Sequence, residues 1–246
     1  MEKGRKFAVF DIDGTLIRWQ MFHAIFEHLA AGGHIEPSAQ QKVAIARNAW
    51  RARSEEESFM AYEEELVTAL INLLPGITVE AYEASVRAAF EDQKDRVYRY
   101  TRNLISELKD QGYCLFAISG STREIVALLA DYYGFDDFAA SELAQKNRRF
   151  TGEVVSMRSH LKPRELSRLV KKHGLVQEGS IGIGDSEGDI AMLEMVERPI
   201  AFNPSKQLFL HAQEKGWEVV VERKNMIYEF EPADGHYRLA HTNTGG

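Results

Sequence analysis

A single cysteine, Cys114, among 246 residues excludes an internal disulfide. It sits in the apolar run Tyr113-Cys114-Leu115-Phe116-Ala117-Ile118, where a thiol reads as buried packing rather than as a nucleophile. Positive charge is not in surplus. Thirty Lys and Arg stand against thirty-seven Asp and Glu, a formal net charge of -7, which argues against a nucleic-acid partner. An acidic surface repels anions at long range, so a phosphate site on this chain has to be made attractive locally; solubility is the plainer reading of the charge. No apolar run approaches the length of a membrane span, and the four apolar residues after Lys6 are too few for the core of a signal peptide. The expectation is a cytoplasmic protein with no membrane partner. The eight histidines suggest no metal cluster, and no internal repeat is visible. What remains is an ordinary globular composition, 44% apolar and 27% charged, long enough for one domain or for one domain carrying a smaller insertion.

Phe7 to Phe10 reads as a short buried strand running directly into Asp11-Ile12-Asp13-Gly14-Thr15. Strand signals then nearly vanish from Trp19 to Gln111. Met21, Phe22, Ile25, Phe26 and Leu29 recur at helical spacing until Gly32-Gly33. Ser54 with Glu57 makes a capping box for a helix through Phe59, Tyr62, Leu66, Leu70 and Leu73. Pro75-Gly76 breaks the chain before a helix over 79–93. From Tyr113 onward strands (113–118, 138–141, 180–184, 198–202, 217–221) alternate with helices (122–133, 162–173, 187–195, 205–215). This predicts an α/β fold, a doubly wound parallel sheet with helices on both faces. The helical block interrupts the alternation after its first strand, so it reads as an all-helical insertion: core 1–17 and 98–246, cap 18–97. Arg149-Phe150 and Glu153-Val154-Val155 around Thr151-Gly152 look like a hairpin near the sheet edge, and the polar tail after Pro232 looks loosely held.

Ligands of open parallel sheets bind beyond the carboxyl ends of the strands, and four segments fall at such ends or at a helix start facing them. Asp11 and Asp13 are either two surface acids capping a turn or a catalytic pair. A calcium loop does not fit, because its glycine comes sixth and Gly14 would be fourth. Ser119-Gly120 either begins a helix or binds phosphate through a hydroxyl and free amides. Lys162 is a solvated lysine or a cation for the phosphate site. Asp185 and Asp189 either cap a helix start or hold a metal. Together they form an inventory for phosphoryl transfer assisted by a metal ion.

In order and placement, Asp11/Asp13/Thr15, Ser119/Gly120, Lys162 and Gly184/Asp185/Asp189 resemble the haloacid dehalogenase superfamily, specifically its phosphoserine-phosphatase-like branch. The resemblance runs to about Val221. It implies a Rossmann-like core with a helical cap between the first two motifs. It implies a small phosphate ester as partner and Mg²⁺ as cofactor, held by Asp11, the backbone carbonyl of Asp13, Asp185 and Asp189. Asp11 would be the nucleophile, Asp13 the general acid and base, and Lys162 the countercharge. Ser119, with the amides of Ile12, Asp13 and Gly120, would hold the transferring oxygens. His160 lies near Lys162 in sequence and borders the pocket or the surface.

At the substrate positions the pattern departs. Where the phosphoserine enzymes carry a glutamate for the amino group, this chain has Gln20; where they carry a cap arginine for the carboxylate, it has Leu66. Arg18, Arg51 or Arg53 would be the substitutes. Ser119-Gly120-Ser121-Thr122 replaces Ser-Gly-Gly-Phe. Trp19, Met21, Phe22 and Phe59 are cap core or substrate contacts. The expected function is a phosphomonoesterase working through an aspartyl phosphate. The alternatives are a phosphotransferase and a non-catalytic module that binds a phosphorylated ligand; the latter predicts a damaged motif, and none is damaged. The sequence does not set the oligomeric state.

Overall fold

In the computed structural model, which describes residues 4–52, 58–156, 161–233 and 235–243, Phe7–Phe10 forms β1, buried on both sides. The other strands are β2 (Cys114–Thr122), β3 (Asp137–Lys146), β4 (Arg149–Ser156), β5 (Ile181–Gly184), β6 (Arg198–Phe202), β7 (Glu218–Arg223), β8 (Met226–Ala233) and β9 (His236–Asn243). The helices are α1 (Met21–Ala31), α2 (Pro37–Ala52), α3 (Ser58–Leu73), α4 (Val79–Gln93), α5 (Arg99–Asp110), α6 (Arg123–Tyr133), α7 (Lys162–His173), α8 (Ile190–Leu193) and α9 (Lys206–Lys215). The capping box expected at Ser54 and Glu57, together with Arg53 and His160, lies outside the described residues. No described helix is long and apolar enough to cross a membrane.

The strands form one sheet in the order β4-β3-β2-β1-β5-β6-β7-β8-β9. Its centre is parallel, from β3 to β7. Alternate residues face opposite sides of a strand, and here each side has its own helices. Ala8, Phe10, Leu115, Ala117, Ile181 and Ile183 pack toward α5, α6 and the inserted helices. Phe7, Val9, Cys114, Phe116 and Ile118 pack toward α7, α8 and α9. The doubly wound α/β sheet expected from the alternating pattern is therefore present.

Helices α1 to α4 enter after β1 and leave before α5. The two connecting passes are laced together: Arg18 N donates to Arg96 O and Tyr98 N to Leu16 O, at 2.9 and 3.0 Å. Arg18 holds both passes to the sheet. Its Nε donates to Val97 O at 2.7 Å, its guanidinium lies over the Tyr98 ring, and its Nη2 pairs with Glu222, whose side chain is fully buried. At the far end, Tyr82 of α4 donates to Thr122 Oγ1 at 2.8 Å and meets Phe150 of β4 edge-on.

Two expectations fail. Thr151-Gly152 is not a turn but the middle of β4. The reversal falls at Asn147 and Arg148, whose φ values of 52° and 60° are those of a two-residue turn matched to strand twist, leaving Lys146 paired with Arg149. Among the described residues, the segment after Pro232 is not loose either. Ala233 pairs with His236 and Ile227 with Asn243, so β8 and β9 extend the sheet as an antiparallel meander.

Candidate active site

The parallel register brings the motif residues to one edge. Phe10 pairs with Ala117 on one side and with Ile183 on the other. The next residues along, Asp11, Ile118-Ser119 and Gly184-Asp185, therefore emerge side by side. Asp11 N continues the ladder to Ile183 O at 3.0 Å, which fixes where its side chain leaves the sheet.

Lys162 is the first residue of α7, and its ammonium is buried. Nζ lies 2.6 Å from Asp11 Oδ1 and 2.6 Å from Asp189 Oδ1. The solvated alternative for this lysine is excluded. Burial pulls the ammonium down in pKa, but the charges of Asp11 and Asp189 outweigh it and hold it protonated. Asp189 Oδ2 accepts from the amides of Asp185 and Ser186 and from the Ser186 hydroxyl, at 3.0 to 3.1 Å. It both caps a short helical turn and faces Lys162. Gly184 permits this approach, since a β-carbon there would lie 2.5 Å from Asp189 Cβ. Thr15 Oγ1 reaches Asp185 Oδ1 at 3.3 Å.

Asp11, Asp185 and Asp189 each place a carboxylate oxygen within 4.8 Å of the others. Burial, followed by the charges of Asp189 and Asp13, pushes Asp11 up to about 7 despite the opposing pull of Lys162. Burial, with Asp11 and Asp189 nearby, also raises Asp185 well above the usual carboxylate range. One ammonium among three close acids leaves an uncompensated negative charge. An all-oxygen donor set of this kind suits a small hard divalent cation. The residues fit Mg²⁺.

Asp13 faces the other way. Its Oδ1 accepts from Met21 N, at the start of α1, at 2.6 Å, and its Oδ2 accepts from Ser119 Oγ at 2.9 Å and Ser121 Oγ at 2.8 Å. Its carboxylate is thus outside the three-acid cluster, leaving only its carbonyl for the metal role the resemblance gives it. Burial raises Asp13 in pKa, opposed by the hydrogen bonds from Met21, Ser121 and Ser119. Gly120 follows Ser119 with its carbonyl tied to Ser141 Oγ at 2.6 Å.

The two specificity candidates separate. Gln20 stands at the N-cap of α1, half-buried, beside the Met21 amide that holds Asp13. Leu66 is 1% exposed and packs in the apolar interior of the inserted helices; its role is packing, because its methyls sit on the α3 stripe with Tyr62 and Leu70. Met21 is fully buried, and Trp19, Phe22 and Phe59 pack against the same interior, which favours cap core for all four. Glu63, one residue after Tyr62, is a carboxylate that sequence reasoning passed over. It is exposed on α3, and loss of hydration, with the charges of Asp13 and Glu187, raises its pKa. Ser121 was also passed over. Its signal was the second hydroxyl in Ser-Gly-Ser at the end of a strand.

Over 204 residues the chain is 24% identical to a phosphoserine phosphatase of Methanocaldococcus jannaschii, across 82% of this chain and 87% of that one. It is 25% identical over 225 residues to a histidinol-phosphatase of Neisseria meningitidis serogroup C, across 88% of this chain and 98% of that one. A solved structure of a Bordetella pertussis Tohama I protein of unknown function shares the fold, with a TM-score of 0.72 at 21% identity over 88% of this chain and 98% of that one. The model of the haloacid dehalogenase-like hydrolase family matches residues 8–194, and the chain belongs to that family.

Proposed function

We propose that this chain is a magnesium-dependent phosphomonoesterase that hydrolyses a small phosphorylated metabolite through an aspartyl phosphate on Asp11. The observation that carries the reading is the buried Lys162 ammonium, 2.6 Å from both Asp11 and Asp189, beside three carboxylates whose oxygens lie close enough together to hold a cation. The two curated relatives named above carry the names of different phosphate esters, which supports the reaction class and leaves the ester open.

A carboxylate oxygen of Asp11 attacks phosphorus and the bond to the leaving oxygen breaks, while Asp13 gives that oxygen its proton. Water then attacks the phosphorus of the aspartyl phosphate, Asp13 takes a proton from it, and Asp11 is regenerated as phosphate leaves. Ser119, with the amides of Ile12, Asp13 and Gly120, holds the transferring oxygens. Lys162 offsets the repulsion between Asp11 and the phosphate. Held by Asp11, Asp185, Asp189 and the Asp13 carbonyl, Mg²⁺ would supply Lewis-acid stabilisation of the phosphoryl charge. Residues 18–97 act as a cap over a core of 1–17 and 98–246, limiting access to small substrates.

The test is hydrolysis of nitrophenyl phosphate with and without added Mg²⁺, in the native chain and in Asp11→Asn. Turnover should require the metal, stop with chelator and be absent from the variant. Full turnover with metal content verified as nil, or a fully active Asp11→Asn, would overturn the proposal.

A further inference from the structure

We propose that Ser121 is a positioning residue, whose hydroxyl keeps the Asp13 carboxylate in place when Ser119 turns its own hydroxyl hydrogen bond from Asp13 to the transferring phosphate. The inference rests on the proposed phosphatase reaction and names a residue which that reaction alone does not require. Two hydroxyls, Ser119 Oγ at 2.9 Å and Ser121 Oγ at 2.8 Å, converge on the same oxygen of Asp13. A hydroxyl has one hydrogen to donate. Ser119 therefore cannot hold Asp13 and bind the phosphate at once.

Without Ser121, arrival of the substrate would strip Oδ2 of its donor and leave the carboxyl hinged on the Met21 amide alone. It would then be free to turn at the moment it must present a proton to the leaving oxygen. The local backbone makes the exchange workable. Residues 119 and 121 lie in the stretch of β2 between Ile118 and Thr122 where the pairing with β3 is irregular, and there both hydroxyls reach one oxygen of Asp13. Both are buried, at 0% and 2% exposure, so water is a poor substitute for either. Ser121 N donates to Ser119 Oγ at 2.9 Å, which uses the acceptor side of that hydroxyl and leaves its hydrogen to choose between Asp13 and phosphate. The Ser141 hydroxyl on Gly120 O pins the residue between them.

A general acid matters in proportion to how poor the leaving group is. The measurement is therefore kcat/KM, which reports phosphoryl transfer to Asp11, across nitrophenyl, phenyl and benzyl phosphates in the native chain, Ser121→Ala and Ser121→Cys. The cysteine variant keeps the shape with a weak donor, and stands in where alanine perturbs folding. Loss of one hydrogen bond to a charged group predicts that the ratio of nitrophenyl to benzyl kcat/KM rises about tenfold in both variants. An equal loss on all three esters, or no loss, would overturn the role of Ser121 while leaving the phosphatase reading intact. Retained hydrolysis by Asp11→Asn in the same assay would instead remove that reading, and the inference with it.

Discussion

Gly14 and Asp185 compete for the same space: a β-carbon on Gly14 would lie 2.1 Å from Asp185 Oδ2. Gly14 also has φ +83°, which side-chain-bearing residues adopt at a cost of about 1–2 kcal/mol. Gly14→Ala is therefore expected to lower stability and to push Asp185 from its place beside Asp11. Displacing a group that orients a metal site typically weakens metal affinity by about 10–100-fold. A Mg²⁺ titration of activity and a denaturant melt check the two effects. An unchanged Mg²⁺ requirement would mean that Asp185 is not needed where it stands.

Lys162→Met keeps most of the aliphatic stem but removes the ammonium shared by Asp11 and Asp189. Breaking a buried pair from one side typically costs about 3–5 kcal/mol, because the remaining charge is left uncompensated. The unfolding midpoint in chelator should fall accordingly. A divalent cation binding the same carboxylates stabilises the native state by mass action, so added Mg²⁺ should raise the midpoint of the variant. A variant as stable as the native chain in chelator would show that Lys162 is not the principal countercharge.

The parts of the fold legible from sequence are those where local pattern and tertiary context agree. The apolar run from Phe7 to Phe10 ending at Asp11, the α4 span after Thr78, and the start of α7 at Lys162 and Pro163 fall as read. The hairpin was misplaced because Thr-Gly carries the ordinary turn signature, whereas Asn147-Arg148 does not. Gly152 instead lies within β4, where a β-carbon would come 3.1 Å from Pro75 Cγ. Only long-range packing of β4 on the inserted helices reveals that. The strand at His236–Asn243 is almost wholly exposed, so it has no apolar alternation to read, and its order comes from backbone pairing with β8. At the site, residue types and order were legible. The direction of the Asp13 side chain was not, because it depends on Met21 N and Ser121 Oγ, which arrive from separate elements.

His23 supplies a pH-dependent test away from the carboxylate cluster. Its Nε2 lies 2.7 Å from Glu27 Oε1, and its Nδ1 meets the Tyr62 hydroxyl. A neutral ring can donate to Glu27 and accept from Tyr62; a protonated ring has no acceptor left. Burial lowers its pKa from the ordinary 6.5, against the opposing charge of Glu27. A group depressed in the native state contributes stability that is fully present above pH 6.5 and is lost as pH falls through its lower native value. The stability difference between the native chain and His23→Gln, measured in urea, should therefore shrink from pH 7.5 toward pH 5. A difference that stays flat across that window would show that His23 is equally content in either protonation state.

Specificity is the remaining expectation: phosphoserine should be a poor substrate beside an ester with a less charged body, such as benzyl phosphate. Recognition of an amino acid needs an anion for the ammonium and a cation for the carboxylate. Gln20, beside the amide that holds Asp13, offers no charge. Leu66 lies in the apolar interior. Of the substitute arginines among the described residues, Arg18 is committed to Val97 O and Glu222, and Arg51 lines a cavity between α1 and α2 with Arg47, Glu27 and Gln40. Glu63 feels the charges of Asp13 and Glu187; it offers no cation to a substrate carboxylate and, when ionised, repels one. Hydrogen bonds to charged groups contribute about 1.5–3 kcal/mol each, so lacking two predicts a kcat/KM for phosphoserine lower by about a hundredfold or more. Glu63→Gln should narrow that gap, since it removes the repulsion without touching the reacting groups. A side-by-side measurement on the native chain and this variant decides the matter: phosphoserine as the better ester would mean that charged contacts reach the site from elsewhere on the cap.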